Sequence, residues 1–430
     1  MKRFAIGLAV AASAAAALLL GGAFRGGEPA RALAPSPVAL QSGFRAGDTQ
    51  AQVASLQAQL RANPDDAKSY ALLGLAYQQR ARETGDPSYY PKAAGVLRRA
   101  LALAPDDLLA TGGLGSLALS QHRFAEALRL GRRAVALSPT TARNYGIVGD
   151  ALVELGRYRE AFAAFDTMAT MRPGLAAYAR VSYARELLGR FGPAVSAMRL
   201  AVDAAVDQPE ASAWTHVQLG KLYWAHGRLG TAAAEYRLAL GSFPGYVHAY
   251  DALAQVEWAL GHRATAIALE RRAVAAIPLP QFVGALGDML QLEGRSAEAH
   301  RHYRTVDGIR RLLTANGVRT DLETAVFDVD HGVRLRASLA LARRAQHERP
   351  SIDGDDTLAW ALARNGRCAE ALPYSKHALR LGTQDATKLF HRAYVEQCLG
   401  RDARPWAQRA LALNPHFSLL WAPTARRLAS

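Results

Sequence analysis

Cysteine and lysine are scarce in this 430-residue chain, and the usual catalytic motifs are absent. There are two cysteines, Cys368 and Cys398, and six of the 52 basic residues are lysines. The cysteines are too far apart in sequence to form a CxxC pair, which argues against a cysteine-ligated metal site. No GxSxG, HExxH or phosphate-binding glycine loop occurs, and no Cys/His pair is placed as nucleophile and base. The sequence therefore predicts a protein that is not an enzyme and needs no cofactor.

The first 47 residues differ in composition from the rest of the chain. Lys2 and Arg3 precede an uncharged apolar run of 21 residues (4–24), and a Gly/Pro/Ala-rich stretch follows. This order is typical of a signal peptide, although a run of about 20 residues is also long enough to span a bilayer. We expect a signal peptide or N-terminal membrane anchor over residues 1–32 and a flexible linker over residues 33–47. The basic residues before the apolar run predict a secreted or extracytoplasmic protein, in the periplasm or at the cell surface.

A pattern of small residues and prolines recurs every 34 residues along most of the chain. Pro105, Pro139 and Pro173 have this spacing, and Pro244 and Pro278 repeat it. Glycine can end a first helix in the left-handed conformation, and proline stops a second one. A unit of helix, turn, helix and proline with this period indicates a stacked array. The glycines about midway between the prolines are Gly156, Gly227, Gly261 and Gly294.

The repeated unit resembles the tetratricopeptide repeat family. One unit matches the family pattern at seven of eight places, and its residues at these eight places are His216, Leu219, Gly220, Tyr223, Ala232, Tyr236, Ala239 and Pro244. The resemblance implies an all-α fold, a right-handed α-solenoid of about ten helix-turn-helix repeats over residues 48–415, followed by a C-terminal capping helix over residues 416–430. The stretches TGDPSYYP and FDVDHG resemble an exported bacterial subgroup without an assigned activity. The ten units are expected to start near Ala67, Leu108, Ala142, Leu175, Ala213, Val247, Pro280, Val318, Ile352 and Ala386.

In that family the first helices line a concave surface, and the resemblance implies a groove there that binds a protein or peptide. The concave positions, carried over to this chain, hold many aromatic and acidic residues. Aromatic anchors with polar neighbours are typical of binding hot spots, and an acidic lining favours a basic partner. The competing interpretation is that several of these rings pack between adjacent first helices. The expected groove residues are Tyr183, Trp214, Trp224, Trp258, Trp360, Tyr394, Asp150, Glu186 and Asp251.

The FDVDHG stretch supports an alternative function, that of an extracytoplasmic accessory protein that binds a divalent metal. Carboxylates and imidazoles stand there where this repeat type has apolar residues, and such groups suit divalent cations. The competing interpretation is helix capping and turn formation, because the acids lack the spacing of a calcium loop. The residues of this alternative site are Glu323, Asp328, Asp330, His331 and His391.

The net charge of +15 would suit a nucleic acid partner, but the sequence argues against one. Export would separate the repeats from nucleic acid, and arginine pairs such as Arg98–Arg99 fall on second helices, which form the outer face. We expect that face to be solvated, with binding to an anionic surface as a weaker alternative. Membrane association through the N-terminal segment stays open, and the oligomeric state is not predicted.

The two cysteines are predicted to form a disulfide. Cys368 begins the second helix of its unit, and Cys398 lies near the end of the first helix of the next unit. Second helices pack against the first helices that follow them, so these two ends meet at one edge. A disulfide between Cys368 and Cys398 is favoured in an oxidising compartment, and two unpaired thiols are the alternative.

Overall fold

The computed structural model describes residues 49–430, so the expected signal or anchor segment and the linker lie outside the described residues. Within residues 49–430 the regular elements are 22 α-helices, and none of these is long and apolar enough to cross a membrane. The helices are α1 (Thr49–Ala62), α2 (Ala67–Thr84), α3 (Tyr89–Leu103), α4 (Leu108–Ser120), α5 (Phe124–Leu137), α6 (Ala142–Glu154), α7 (Tyr158–Met171), α8 (Leu175–Leu187), α9 (Phe191–Asp203), α10 (Pro209–Ala225), α11 (Leu229–Ser242), α12 (Val247–Ala259), α13 (Arg263–Ala276), α14 (Pro280–Leu292), α15 (Ser296–Ala315), α16 (Asp321–Asp330), α17 (Leu335–Glu348), α18 (Ile352–Arg364), α19 (Cys368–Ala378), α20 (Ala386–Cys398), α21 (Arg404–Leu413) and α22 (Ala422–Ala429).

Helices α2 to α21 form ten consecutive hairpins, numbered here as repeats 1 to 10, and α1 packs on α2 as a half repeat. Eight of the ten first helices begin at the residue where the unit was expected to start. The fifth begins earlier, at Pro209, because proline is well suited to the first turn of a helix. The eighth begins at Asp321, where an acidic first turn complements the helix dipole. The fold is an all-α solenoid.

The two helices of a hairpin approach closely where a glycine on the first faces an aromatic ring on the second. A Cβ atom at Gly149 would lie 2.3 Å from the ring of Phe165, and one at Gly220 would lie 2.3 Å from the ring of Tyr236. Because real Cβ contacts are longer than this, only glycine leaves room for the ring. The close packing of the two helices therefore explains why a glycine on the first helix occurs together with an aromatic residue on the second.

The array winds into a superhelix whose second turn packs on its first, along a line of contacts that we call the seam. In the seam, the turn between the two helices of one repeat contacts the loop that follows the repeat five units later. The amide of Arg319 donates to the carbonyl of Gln121 at 3.1 Å. The hydroxyl of Thr383 donates to the carbonyl of Leu187 at 2.5 Å, across a separation of 196 residues. The Asn414 side chain donates to the carbonyl of Trp224 at 2.9 Å.

A buried ion pair also crosses the seam. Arg349, in the loop before α18, lies 2.5 Å from Glu154 at the end of α6 and 3.0 Å from Glu323 in α16. Ile352, the first residue of α18, joins the apolar core that contains Phe165. The seam is therefore part of the protein core, with both apolar and charged contacts between the two turns.

Cys368 and Cys398 form a disulfide between α19 and the end of α20, with Cα atoms 6.0 Å apart. The capping helix is shorter than expected, since it begins at Ala422 and not at residue 416. The Asn414 side chain accepts a hydrogen bond from the amide of His416, which favours a turn over a helix there. Residues 416–421 therefore form an irregular segment.

Candidate functional site

The interior of the superhelix contains a chamber of about 770 Å³. Its wall combines Arg82 from α2, Trp214 from α10, Phe327 from α16 and Leu419 from the C-terminal segment. These residues come from opposite ends of the sequence, and the two turns of the superhelix bring them together. The chamber therefore belongs to the closed array as a whole and to no single repeat.

Aromatic side chains form one part of the chamber wall. Trp214 stands in the first turns of α10, half-buried against the core of repeats 4 to 6. Phe243 and Tyr246, from the loop before α12, stack edge to face with ring centroids 6.2 Å apart. Such rings supply large contact areas at a small cost in conformational entropy, as binding anchors do.

A hydrogen-bonded group of side chains forms a second part of the wall. The Asp288 carboxylate lies 2.7 Å from Nε2 of His331 and accepts a hydrogen bond from the Tyr303 hydroxyl at 2.9 Å. The His331 ring stacks on Phe327, with centroids 3.9 Å apart. Burial alone would lower the pKa of His331, but the hydrogen bond to Asp288 raises it overall. His331 and Asp288 therefore form a hydrogen-bonded pair at the chamber surface.

Carboxylates outnumber guanidinium groups in the chamber wall, although several are paired. Burial raises the pKa of Asp330, which accepts a hydrogen bond from the Trp360 indole at 2.8 Å. Burial also opposes ionisation of Glu323, yet the charges of His122 and Arg349 lower its pKa overall. The five carboxylates of the wall are Glu83, Glu210, Asp288, Glu323 and Asp330, and the two guanidinium groups are those of Arg82 and Arg310.

The chain's own C-terminal segment occupies the concave face of repeats 9 and 10. Phe417 packs on Phe390, with centroids 5.5 Å apart, and Trp421 packs edge to face on Trp360 at 5.1 Å. The guanidinium of Arg364 lies 4.5 Å from the centre of the Trp421 ring. The segment ends where the chamber begins, since residues 418–420 line the chamber wall.

First and second helices differ in burial in the way that a stacked array requires. In α18, a first helix, 11 of 13 residues are buried, whereas in α13, a second helix, four of 14 are. First helices thus lie inside the superhelix, and second helices keep one face in solvent. This placement, together with the glycine–aromatic contacts Gly149–Phe165, Gly220–Tyr236 and Gly287–Tyr303, is characteristic of the repeat type. The chain has the fold of a tetratricopeptide array, an all-α solenoid of stacked helical hairpins.

No protein-family model matches the chain, and no curated protein matches it in sequence. Among solved structures it is similar to the human IFIT1 dimer with PPP-AAAA, at 16% identity and a TM-score of 0.47, covering 74% of this chain and 72% of that one. It is also similar to YrrB, a TPR protein with an unusual peptide-binding site, at 18% identity and a TM-score of 0.30, covering 47% of this chain and 99% of that one. The P58(IPK) TPR domain is 15% identical, with a TM-score of 0.25, covering 84% of this chain and 98% of that one.

The expected groove aromatics are divided between the chamber and the core. Trp214 lines the chamber, whereas Trp224 packs on the same core cluster as Trp214 without lining the chamber. Trp258 is buried beneath the guanidinium of Arg263, 4.3 Å from its ring centre. Trp360 has no exposed surface, so in this tetratricopeptide array it is a packing residue. Tyr183 is buried as well, and Tyr394 lies half-buried against Trp421.

The three expected groove acids lie outside the chamber wall. Asp150 is buried and accepts two hydrogen bonds from the Arg180 guanidinium, at 2.8 and 2.5 Å. Burial raises the pKa of Asp150 to about 6 even beside this partner. Glu186 and Asp251 are half-buried on the first helices of repeats 4 and 6. The acids that do line the chamber stand nearer the helix ends or on other repeats.

The structure does not bring the residues of the alternative metal site together. Asp328 binds Arg310 and Arg334, and His391 lies 2.9 Å from Asp356. Among residues 49–430, no group of three or more His, Cys, Asp or Glu side chains is arranged to hold a metal ion. Each of these acids is instead paired with a cation or accepts a hydrogen bond from another group of the protein.

Several chamber residues were missed by sequence reasoning. Phe243 and Tyr246 flank a repeat-ending proline, and Leu419 falls in a segment expected to be helical. The family's concave positions cover first helices only, so loop residues are not selected by them. Finding these residues from sequence would require the pitch of the superhelix, which decides which loops face the interior.

Proposed function

We propose that this protein is an exported scaffold that binds a segment of a partner polypeptide in the chamber of its tetratricopeptide array. The observation that carries the proposal is the C-terminal segment. Phe417 and Trp421 fill the concave face of repeats 9 and 10 with aromatic side chains, and the chamber continues that surface beyond Leu419. The interior of this array therefore accepts an irregular peptide with aromatic and aliphatic anchors.

The chemistry of the wall favours a partner segment with apolar anchors and a basic group. Trp214 and Tyr246 offer aromatic surface, while carboxylates exceed guanidinium groups around them. A cleft lined by one sign of charge attracts the opposite sign and selects its partners by electrostatic complementarity. A lysine- or arginine-containing segment fits this wall better than an acidic one.

The geometry also favours a flexible segment over a folded domain. A volume of about 770 Å³ lies in the range of ligand pockets, about 300–1,000 Å³, and is far too small for a domain. The seam closes the side of the chamber, so a chain end or a loop has the easiest access. Rigid helices hold the wall in place before binding, which reduces the entropy cost of association.

Two features support the export part of the proposal. Lys2 and Arg3 followed by the apolar run over residues 4–24 are typical of a signal or anchor. The Cys368–Cys398 disulfide belongs with an oxidising compartment. In protein recovered from native cells under acidic quench, both cysteines are expected to resist alkylation until a reductant is added. Two alkylated thiols in the unreduced protein would contradict export.

A matched pair of variants tests the chamber. Trp214 and Trp224 are both half-buried against the same core cluster, but only Trp214 lines the chamber. Peptides selected on the full-length protein from a random library would be labelled and titrated against both variants. We expect Trp214→Ala to weaken binding at least about tenfold, or about 1.4 kcal/mol, and Trp224→Ala to change it little. Equal weakening in both variants, with equal loss of stability, would show that the rings act through the core.

The selected sequences provide an independent check. We expect enrichment of lysine or arginine next to an aromatic residue, and binding that weakens as salt rises. Acidic peptides, or peptides whose binding ignores Trp214→Ala, would place the binding surface elsewhere.

A further inference from the structure

The contacts of the seam follow one pattern that repeats along the superhelix. In four of the five covered turns a glycine in the left-handed conformation lies against the loop of the repeat five units later, and in the turn of repeat 2 the left-handed residue is His122. A Cβ atom at Gly156 would lie 2.2 Å from the carbonyl oxygen of Pro350, and one at Gly189 would lie 2.3 Å from that of Gly382. At Gly85 the neighbour is the Ile277 side chain, at 2.4 Å. The turns of repeats 1 to 5 are thus covered by the loops that follow repeats 6 to 10.

The equivalent turns of repeats 6 to 10 have no such cover. We call these turns, residues 260–263, 292–295, 331–334, 365–367 and 399–402, the upper rim. A Cβ atom at four of its glycines would meet no atom of residues 49–430 within 4 Å beyond its own turn. The four open glycines are Gly261, Gly294, Gly366 and Gly400.

Apolar residues mark the upper rim as a contact surface. Leu155, the capping residue of α6, is half-buried against the core that contains Ile352 from the other side of the seam. Leu260, the capping residue of α12, has the same place in its repeat but is 46% exposed. Leu292 and Val333 on the next two turns are 46% and 41% exposed. The upper rim therefore offers the kind of surface that the seam buries.

The opposite end of the superhelix presents the surface that would fit it. The loops after α1 and after repeats 1 to 4, residues 63–66, 104–107, 138–141, 172–174 and 204–208, form what we call the lower rim. These loops have the same position in their repeats as the loops after repeats 6 to 10, which cover turns within the seam. Val206 in this rim is 73% exposed, the most exposed large apolar residue in the described part of the chain. Met171 at the edge of the rim is 38% exposed.

The charges of the two rims are complementary. Asp65 and Asp106 on the lower rim have side chains that are 78% and 81% exposed. Arg263, Arg334 and Arg367 stand at the turns of the upper rim, each at least 42% exposed. Opposite charges on mating surfaces steer the surfaces into register and disfavour pairing of like rims.

We propose that the upper rim of one molecule binds the lower rim of a second copy of this chain, in a contact that repeats the internal seam. The two surfaces differ, so the contact is heterologous. A dimer formed in this way still has one free upper rim and one free lower rim. The rotation and translation that relate one turn of the superhelix to the next would also relate successive copies. Because this operation does not form a closed ring, the product is an open, head-to-tail filament. The chambers of successive copies then align along one axis.

The test uses two full-length variants, each of which disables one rim. Leu260→Glu/Leu292→Glu places carboxylates on the upper rim, and Val206→Glu/Met171→Glu places them on the lower rim. All samples would be kept in the same mild detergent, because residues 4–24 are apolar. Sedimentation velocity would follow the wild type, each variant alone, and an equimolar mixture over a range of protein concentrations.

We expect the wild type to form a concentration-dependent series of species larger than a dimer, and each variant alone to be a monomer. The mixture is expected to stop at a dimer, since one intact upper rim and one intact lower rim remain. Circular dichroism must show unchanged helix content and melting in both variants; the milder pair Leu260→Ser and Val206→Ser replaces a variant that fails this check. Association that survives in both variants would place it on another surface, such as residues 4–24. A monomeric wild type, or a mixture that stays monomeric, would overturn the proposal.

Discussion

The hydroxyl of Tyr158 accepts a hydrogen bond at 2.7 Å from the backbone amide of Ile352, 194 residues further along the chain. Tyr158 begins α7, directly after the turn of repeat 3, and Ile352 begins repeat 9. Burial raises the pKa of Tyr158, so the hydroxyl stays neutral at physiological pH. The contact shows how the two turns of the superhelix depend on each other: the chamber wall is complete only while the seam is closed.

Removal of this hydroxyl tests the seam directly. Tyr158→Phe leaves the buried amide of Ile352 without an acceptor, and we expect a loss of about 1–3 kcal/mol in the free energy of unfolding. Urea unfolding followed by circular dichroism would measure it. Tyr145→Phe is the control, because the Tyr145 hydroxyl donates to the carbonyl of Pro139, six residues earlier in the chain, at an exposed site away from the seam. Similar small losses in both variants would argue against a closed seam in solution.

A comparison of alanine substitutions at two glycines distinguishes the contribution of the seam from that of backbone strain. Gly156 and Gly366 have φ angles of 69° and 73°, so alanine costs about 1–2 kcal/mol at either position. Only at Gly156 would the new Cβ also meet a carbonyl oxygen of the opposite turn, that of Pro350. We expect Gly156→Ala to destabilise the protein more than Gly366→Ala and to increase the radius of gyration measured by small-angle X-ray scattering. Identical scattering curves for the two variants would count against seam closure.

The repeats could be predicted from sequence because their determinants are local. Prolines 34 residues apart, turn glycines and the pairing of Gly220 with Tyr236 all act within one hairpin. The seam could not be predicted in this way. Its partners, such as Glu154 and Arg349, lie 195 residues apart and meet only because of the superhelical pitch. That pitch is the sum of small rotations between repeats, which no single motif encodes.

The same limit explains the outcome for the candidate site. The family's concave positions led to Trp214, which lines the chamber, but equally to Trp360, which the C-terminal segment and neighbouring repeats bury. Position within a repeat indicates which way a side chain faces. Whether that face is solvent or core depends on what the rest of the chain places against it.

Asp150 was expected to line the binding groove. Its contact with Arg180 predicts instead that a substitution of Asp150 lowers the stability of the fold. Both side chains are at most 3% exposed. Because Asp150→Ala leaves the Arg180 charge buried and unpaired, we expect a loss of about 3–5 kcal/mol in the free energy of unfolding. The double variant Asp150→Leu/Arg180→Met removes both charges and should recover much of that loss. Denaturant unfolding of the three proteins checks this; no recovery in the double variant would contradict it.

A carboxyl group in the core of repeat 6 predicts a dependence of stability on pH. Glu270 is fully buried where the neighbouring repeats have Tyr236 and Tyr303, and neither of its oxygens has a hydrogen-bond partner among the described residues. Burial, reinforced by the Asp251 carboxylate, raises the pKa of Glu270 well above its usual value. Folding therefore favours the protonated form of this side chain.

A raised pKa in the folded state contributes stability that is fully present below the unfolded pKa of about 4.5 and is lost as pH rises through the folded pKa. Glu270→Gln has no proton to lose, so its melting temperature should exceed that of the wild type at pH 8, with the difference shrinking towards pH 5. The difference grows by at most about 1.4 kcal/mol per pH unit. Glu298→Gln is a control, because the hydrogen bonds that Glu298 accepts from Arg295 lower its pKa, so its contribution to stability should not change between pH 5 and pH 8. A constant difference between Glu270→Gln and the wild type from pH 5 to pH 8 would mean that Glu270 has the same protonation state in the folded and unfolded protein over that range, and the explanation from burial would fail.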